Sequence, residues 1–102
     1  MKKAHQIHET RSLRMHRMVA ERFLQDPVGV IRFARKNLEQ WHQQGVECDD
    51  FQVWKSLLTG PPQLIVETLT GSSEEAIRLR QSSPFAGFIP DDDRRRILAP
   101  AE

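Results

Sequence analysis

Apolar residues recur at steps of three and four along most of this 102-residue chain, with polar residues between them. Met15, Met18, Val19 and Phe23 form one such stripe, which predicts an amphipathic helix over residues 5–25. No window alternates apolar and polar residues with the period of two that a half-buried strand requires. The pattern therefore predicts an all-α fold, a compact bundle of five to six short helices.

Residues with strong positional preferences mark the next two helices. Asp26 is placed to cap a second helix that has Pro27 in its first turn, and Gly45 is placed to end it. A short third helix follows, and either Asp49 or Asp50 is predicted to be its N-cap.

Three further helical segments are predicted in the second half of the chain. Residues 62–69 are apolar on most sides, so this fourth helix is expected to be central. A fifth helix is expected to begin at Ser72 or Ser73, with glutamates in its first turn. The run DDDRRRIL, residues 91–98, has acidic residues first and basic residues last, which favours one or two more helical turns.

The segment SPFAGF, residues 83–88, interrupts the helical pattern. Pro84 disfavours a helical conformation at the residue before it, and Gly87 permits a positive φ angle. We therefore predict an extended or turning path bounded by proline. Phe85, Phe88 and Ile89 cannot all easily face inward over so few residues, so one ring is expected to pack in the core and the other to meet a partner. A structural role alone, in which the segment only closes the core, is the alternative.

Composition bounds the class of protein. Hydrophobic residues make up 38% of the chain and charged residues 28%, which is typical of a globular protein. One helical domain over residues 1–102 is expected, with residues 1–6 and 99–102 frayed. No stretch approaches the roughly 20 apolar residues of a spanning helix, so no membrane contact and a cytoplasmic location are expected. The lone Cys48 is interpreted as a free thiol.

Charge is unevenly distributed, although the net charge is only +1. Residues 1–36 carry nine basic and three acidic side chains, whereas residues 37–102 carry six basic and eleven acidic ones. Such a dipolar chain favours oriented docking to a charged partner over general attraction to nucleic acid.

Groups that support catalysis are sparse in this sequence. Ser82 and Ser83 have no base in a recognisable motif, and no phosphate-binding glycine loop is present. His5, His8 and Glu9 have helical spacing for a metal pair, yet a site needs further ligands, and packed or solvated side chains are the simpler interpretation. We predict no enzymatic activity, no metal and no cofactor.

Several other residues have both a structural and a functional interpretation. Trp41 and Trp54 are predicted to be core side chains, because aromatic residues at helical spacing usually fill a bundle. His16 is predicted to be a packed or half-solvated side chain and not a base. The arginines of the first helix, Arg11, Arg14, Arg17 and Arg22, either form a solvated face or bind acidic groups. A small helical DNA-binding regulator is the alternative function that these arginines leave open.

The motif LRQSSPFAG, residues 79–87, together with an early HRMVAERF helix and a DP-capped second helix, resembles small bacterial antitoxins. The similarity is to the partners of zeta-toxin-like kinases, including the chaperone paired with a type III secreted effector of plant pathogens. It covers the layout of residues 11–98. The chain departs from the three-helix zeta antitoxins by its extra helices after residue 60.

The resemblance implies an antitoxin or chaperone that inhibits a P-loop kinase by occupying its active site. Because such a pocket is lined with Lys and Arg, an acidic element is a suitable plug, and the chain offers Glu47, Asp49 and Asp50 in one loop and residues 91–93 in another. The predicted partner contacts are Arg11, Arg14, Arg17, Arg22, Arg80, Gln81, Phe85, Phe88, Asp91, Asp92 and Asp93.

Overall fold

The computed structural model describes the backbone of residues 2–98 and the side chains of residues 9–90, 92, 93, 95 and 96. Within these ranges the chain forms helices and connecting turns, without a strand, which confirms the all-α prediction. The six helices are α1 (Lys2–Gln25), α2 (Pro27–Gln43), α3 (Asp49–Leu58), α4 (Pro62–Thr70), α5 (Glu74–Gln81) and α6 (Asp91–Leu98).

The predicted caps of α2 and α5 are present. A carboxylate oxygen of Asp26 accepts a hydrogen bond from the amide of Gly29 at 3.1 Å, and Oγ of Ser73 accepts one from the amide of Ala76 at 3.1 Å. Each bond satisfies an amide that the first turn of a helix leaves unpaired. Gly45 follows α2 with a φ of +80°, a conformation that glycine adopts without strain.

The predicted cap of α3 is wrong. The N-cap is Cys48, and its side chain makes no capping hydrogen bond. Asp49 and Asp50 instead lie in the first turn, where a carboxylate still interacts favourably with the positive end of the helix dipole. An acidic residue near a helix start is favourable in either position, so the sequence did not distinguish them.

The core is a single apolar cluster around α1 and α4; the central position predicted for α4 belongs to α1 at least as much, and one side of α4 is exposed. Helix α4 contacts α1, α3 and α5, and α1 also contacts α2, α5 and α6. Ile65 and Leu69 of α4 are buried, but Leu64 remains 45% exposed. The buried residues that form this cluster are Val19, Ala20, Phe23, Val30, Ala34, Leu38, Trp54, Leu58, Ile65, Leu69, Leu79, Phe85 and Ile89.

The two tryptophans differ in burial. Trp54 is completely buried, and its Nε1 donates a hydrogen bond to the carbonyl oxygen of Leu79 at 2.9 Å. Trp41 is only half-buried and stacks on Phe51, with 5.1 Å between ring centroids. The prediction of a core position is therefore confirmed for Trp54 and corrected for Trp41, which lies at the edge of the core near the end of α2.

The ends of the chain bear on two predictions. Helix α1 begins at Lys2, three residues before the predicted start, and the 91–98 run forms α6 as expected. The prediction that residues 1–6 and 99–102 are frayed concerns parts of the chain that are described incompletely. Met1 and residues 99–102 lie outside the described residues, and for residues 2–6 only the backbone, which belongs to α1, is described. Among the described residues, no helix has the length and apolar content needed to cross a bilayer.

Candidate partner-docking surface

The SPFAGF segment forms a tight turn between α5 and α6. The amide of Phe88 donates to the carbonyl oxygen of Phe85 at 3.0 Å, and Gly87, at the third position of this turn, has a φ of +82°. A positive φ at that position is typical of a type II turn and favours glycine. The predicted non-helical path and the role of Gly87 are thus confirmed.

A side chain of α2 ties this turn to the bundle. Nδ2 of Asn37 donates hydrogen bonds to the carbonyl oxygens of Pro84 and Ala86, at 2.9 and 3.0 Å. Oγ of Ser83 accepts a further bond from the amide of Phe85 at 3.1 Å. Since each bond satisfies a backbone group of the turn, the segment is held in one conformation against α2.

The two phenylalanines of the turn have different environments, as predicted. Phe85 is 0% exposed and packs edge-to-face on Trp54, with ring centroids 5.6 Å apart. Phe88 is half-buried and packs edge-to-face on Phe33 of α2 at 5.1 Å. We call these two ring pairs, Trp54 with Phe85 in the core and Phe33 with Phe88 nearer the surface, the aromatic layer.

Exposed atoms of this turn and of α2 make a candidate docking surface. It comprises the half-buried rings of Phe33 and Phe88 and the exposed Ala86 and Gly87. Lys36 follows Phe33 by three positions in α2 and is exposed, so a positive charge borders the rings. We refer to Phe33, Ala86, Gly87 and Phe88 as the docking surface.

Phe85 and Arg80, both predicted as partner contacts, are buried. Arg80 is 3% exposed; its guanidinium donates to the carbonyl oxygen of Thr68 at 2.9 Å and pairs with the Glu9 carboxylate at 2.9 Å. Neither side chain presents a surface to a partner, which corrects the sequence prediction. Their residue types fit an interface, but three-dimensional packing uses them inside the fold. Gln81, next to Arg80, is exposed.

Arg80 belongs to a polar cluster between α1, α4 and α5, formed by Glu9, His16, Thr68 and Arg80. His16 is 1% exposed, and its Nδ1 donates to the carbonyl oxygen of Ser12 at 2.7 Å. Because a carbonyl only accepts, the neutral ring carries its proton on Nδ1. Burial, with a smaller effect of the charge on Arg80, lowers the pKa of His16 to about 4.

The arginines of the first helix are all exposed, and one of them connects two helices. Arg11, Arg14 and Arg17 lie on the outer face of α1. Arg22, also exposed, forms an ion pair with Asp93 at 3.7 Å and thereby links α1 to α6. Two of the residues predicted to contact a partner thus contact each other.

The acidic elements are also partly used within the fold. Asp93 pairs with Arg22 and Arg96, whereas Asp92 is exposed. The side chain of Asp91 lies outside the described residues.

In the other acidic loop, Glu47 and Asp49 are exposed, but Asp50 is engaged within the fold. It pairs with Arg78 at 3.3 Å and accepts from Oγ of Ser82 at 3.4 Å. The sequence showed no partner for Ser82, and the fold supplies one that joins α3 to the end of α5.

The structure gives no metal site within the described side chains, where no three His, Cys, Asp or Glu residues converge. The side chains of His5 and His8 lie outside that part of the chain, and Glu9 pairs with Arg80. Cys48 is a free, exposed thiol, with its Sγ 3.8 Å from Oγ of Ser82.

The sequence did not identify Phe33, which belongs to the docking surface, or Asn37, which supports the turn. Phe33 and Asn37 are one helical turn apart on α2, so their spacing alone places them on the same side of that helix. Nothing in the sequence links them to a turn nearly fifty positions later, because Asn37 bonds to Pro84 at a separation of 47 residues. Only the packing of the turn on α2 reveals this contact.

Comparison with protein-family models, curated proteins and solved structures finds no match to this chain. The all-α fold and the candidate docking surface therefore stand on the geometry described above.

Proposed function

We propose that this protein is a non-catalytic partner-binding protein, an antitoxin or chaperone that holds a zeta-toxin-like kinase inactive in a bacterial cytoplasm. The observation that carries the proposal is the docking surface, where Phe88 stands half-exposed beside Phe33 on a turn fixed by hydrogen bonds. Aromatic side chains dominate the binding energy of many protein interfaces. The LRQSSPFAG motif, on which the resemblance to zeta-kinase antitoxins depends, contains most of this turn.

Rigidity of the turn supports a docking role. Binding orders loops and side chains at an entropic cost, and a surface already fixed in its bound shape avoids much of this cost. Here the Asn37 amide, the Ser83 hydroxyl and the bond from Phe88 to Phe85 fix the backbone. Phe85, buried on Trp54, anchors the turn from below. Phe88 is thereby presented to a partner with little freedom left to lose.

Charged side chains can orient this protein on its partner. Arg11, Arg14 and Arg17 project from α1, while Glu47 and Asp92 are exposed in the acidic second part of the chain. Complementary charge mainly accelerates association and selects the correct partner. A kinase pocket rich in Lys and Arg would attract the acidic part, and an acidic patch beside that pocket would attract α1.

Co-expression with the product of the neighbouring gene tests the proposal, which requires that product to be a P-loop kinase. We expect the two chains to elute together in size-exclusion chromatography and the toxicity of the kinase to be relieved. Phe88→Ala should weaken binding by tenfold or more, because it removes an aromatic anchor that contributes about 1.4 kcal/mol or more. Separate elution of two folded proteins, with toxicity unrelieved, would reject the proposal.

Leu24→Ala provides the matched control for Phe88→Ala. Among the described side chains, Leu24 is the most exposed large apolar one, at 72%; it lies at the end of α1 and is not part of the docking surface. The substitution therefore removes a similar apolar side chain without altering the docking surface. We expect less than a twofold change in affinity. An equal loss in both variants would show that general surface apolarity, rather than the Phe88 ring, supports binding.

A DNA-binding regulator is the second candidate, because α2 adds exposed basic side chains to those of α1. Arg32, Arg35 and Lys36 are all exposed. Contacts of such side chains with phosphates release counterions, so binding would weaken steeply as salt rises. A gel-shift experiment with the upstream DNA, repeated at two salt concentrations, tests this function. No salt-sensitive shift at micromolar protein would eliminate it.

A further inference from the structure

A groove between α3, α4 and α5 is separate from the docking surface and shares no residue with it. Val53 and Leu57 of α3 and Leu64 of α4 supply its apolar wall, and the buried Leu79 of α5 lies at its floor. Val53 and Leu57 are one helical turn apart, so they present adjacent side chains along one side of the groove. Leu64, at 45% exposure, leaves a large apolar side chain open to solvent there.

The rim of this groove is acidic. Glu67 of α4 and Glu75 of α5 line it, and both side chains are exposed. Among the described side chains, those that line the groove include no lysine, arginine or histidine. Carboxylates on both α4 and α5 repel the phosphates of nucleic acids and of anionic lipids and attract cationic side chains.

The dimensions also restrict the occupant. The cavity has a volume of about 240 Å³. The groove is open to solvent, whereas a small-molecule site usually encloses most of its ligand. An open groove bordered by three helices instead suits a partner helix that rests on the rim and places a row of apolar side chains in the groove.

We propose that this groove binds a basic amphipathic helix of a partner protein. Its apolar side chains contact Val53, Leu57 and Leu64, and its lysines or arginines pair with Glu67 and Glu75. The inference rests on the proposed function in one respect: the helix that occupies the groove is part of a bound partner protein. It does not depend on that protein being a kinase, and it involves a different surface from Phe33 and Phe88.

A designed peptide tests the groove directly. We choose a labelled peptide of about 15 residues, near the minimum length for a helix in water, with leucines on one face and lysines on the others. Its counterpart has glutamate in place of every lysine. Fluorescence anisotropy with the full-length protein should give a dissociation constant of about 10 to 100 µM for the basic peptide and at least tenfold weaker binding for the acidic one.

Protein variants then locate the binding site. The double variant Glu67→Lys with Glu75→Lys reverses the rim, and we expect at least tenfold weaker binding of the basic peptide. Its matched control is Glu21→Lys with Glu39→Lys, which makes the same change in net charge at exposed residues that do not line this groove. The control should change affinity by less than threefold. Leu64→Ser tests the apolar wall and should also weaken binding, while urea unfolding verifies that each variant is folded.

Two results would overturn this inference. One is the absence of basic-peptide binding to the unaltered protein up to about 1 mM, the weak limit of a specific contact. The other is equal loss of affinity in the rim variant and in its control, which would mean general attraction to an acidic protein. Co-purification with the kinase tests the proposed function separately, so failure of either idea is recognisable without the other.

Discussion

The aromatic layer and the polar cluster both bury polar atoms, but they differ in how completely those atoms are paired. In the aromatic layer, Nε1 of Trp54 donates to Leu79, and the supporting amide of Asn37 donates to two carbonyl oxygens of the turn. In the polar cluster, Nε2 of His16 and Nε of Arg80 are buried without a hydrogen-bond partner among the described residues. A buried unpaired polar atom costs stability, whereas a paired one costs little.

The contrast indicates that the two regions make different contributions to the fold. The aromatic layer stabilises through apolar burial and a satisfied set of hydrogen bonds, so its contribution should change little with pH. The polar cluster depends on protonation and on an ion pair between Glu9 and Arg80, so acid and single substitutions should weaken it. Four predictions test this contrast, in order of decreasing effect.

Truncation within the aromatic layer should have the largest effect. Phe85→Ala leaves a cavity beside Trp54 and should lower the free energy of unfolding by about 4 kcal/mol. Phe88→Ala removes a half-buried ring and should cost about half as much. Urea unfolding at pH 7 measures both. Equal losses would contradict the assignment of Phe85 to the core and of Phe88 to the surface.

Acid should weaken the polar cluster through His16. In the unfolded chain the ring takes up a proton near pH 6.5, but the buried ring does so only near pH 4 because its pKa is lowered. The unfolded state therefore binds more protons in this window, and stability falls as the pH drops from 6.5 to 4. The shift corresponds to about 3 kcal/mol.

The variant His16→Gln isolates this effect, because glutamine has no charge to gain. Urea unfolding of both proteins at several pH values from 7 to 4 measures the effect. The free energy of unfolding should fall less with decreasing pH in the variant than in the unaltered protein. The acidic residues titrate in both proteins and cancel in the difference. Parallel curves would show that His16 is not the group that makes the polar cluster sensitive to acid.

Breaking the ion pair of the polar cluster should have a moderate effect. Glu9→Gln leaves the buried Arg80 guanidinium without its carboxylate and should cost about 2 kcal/mol, less than a fully buried pair because Glu9 reaches solvent. Arg80→Met and the double variant complete a thermodynamic cycle. The double variant should lose less stability than the two single variants lose together, because it contains no buried cation without a partner. Strict additivity would exclude coupling between the two side chains.

Removing the support of the turn should have the smallest effect on stability. Asn37→Ala frees the carbonyl oxygens of Pro84 and Ala86 and should cost about 1 kcal/mol, because solvent reaches part of this region. Asn37→Asp keeps the shape but loses the donors, and it should cost at least as much. Hydrogen exchange at the amide of Phe88 should accelerate in both variants. Unchanged exchange would mean that the turn holds its conformation without Asn37.

Much of the fold was predictable from the sequence because helix signals are local. The Asp26 and Ser73 caps, the glycine after α2 and the interruption at residues 83–88 all depend on neighbours within a few positions. The candidate site was less predictable. Arginine and phenylalanine are both common at interfaces, so residue type does not separate Arg80 from Phe88. Burial separates them, because Arg80 is buried and pairs with Glu9, which lies 71 positions earlier in the chain.

The sequence by itself determined the helical class, most helix boundaries, the non-helical turn and the unequal distribution of charge, since each follows from composition or from near neighbours. Only the tertiary structure decided which phenylalanine is exposed, that Arg22 pairs with Asp93, that His16 and Arg80 are buried together, and that three helices leave an acidic groove. The physical reason is that burial and pairing depend on contacts between residues far apart in the chain, and helical periodicity carries no information about which distant faces meet.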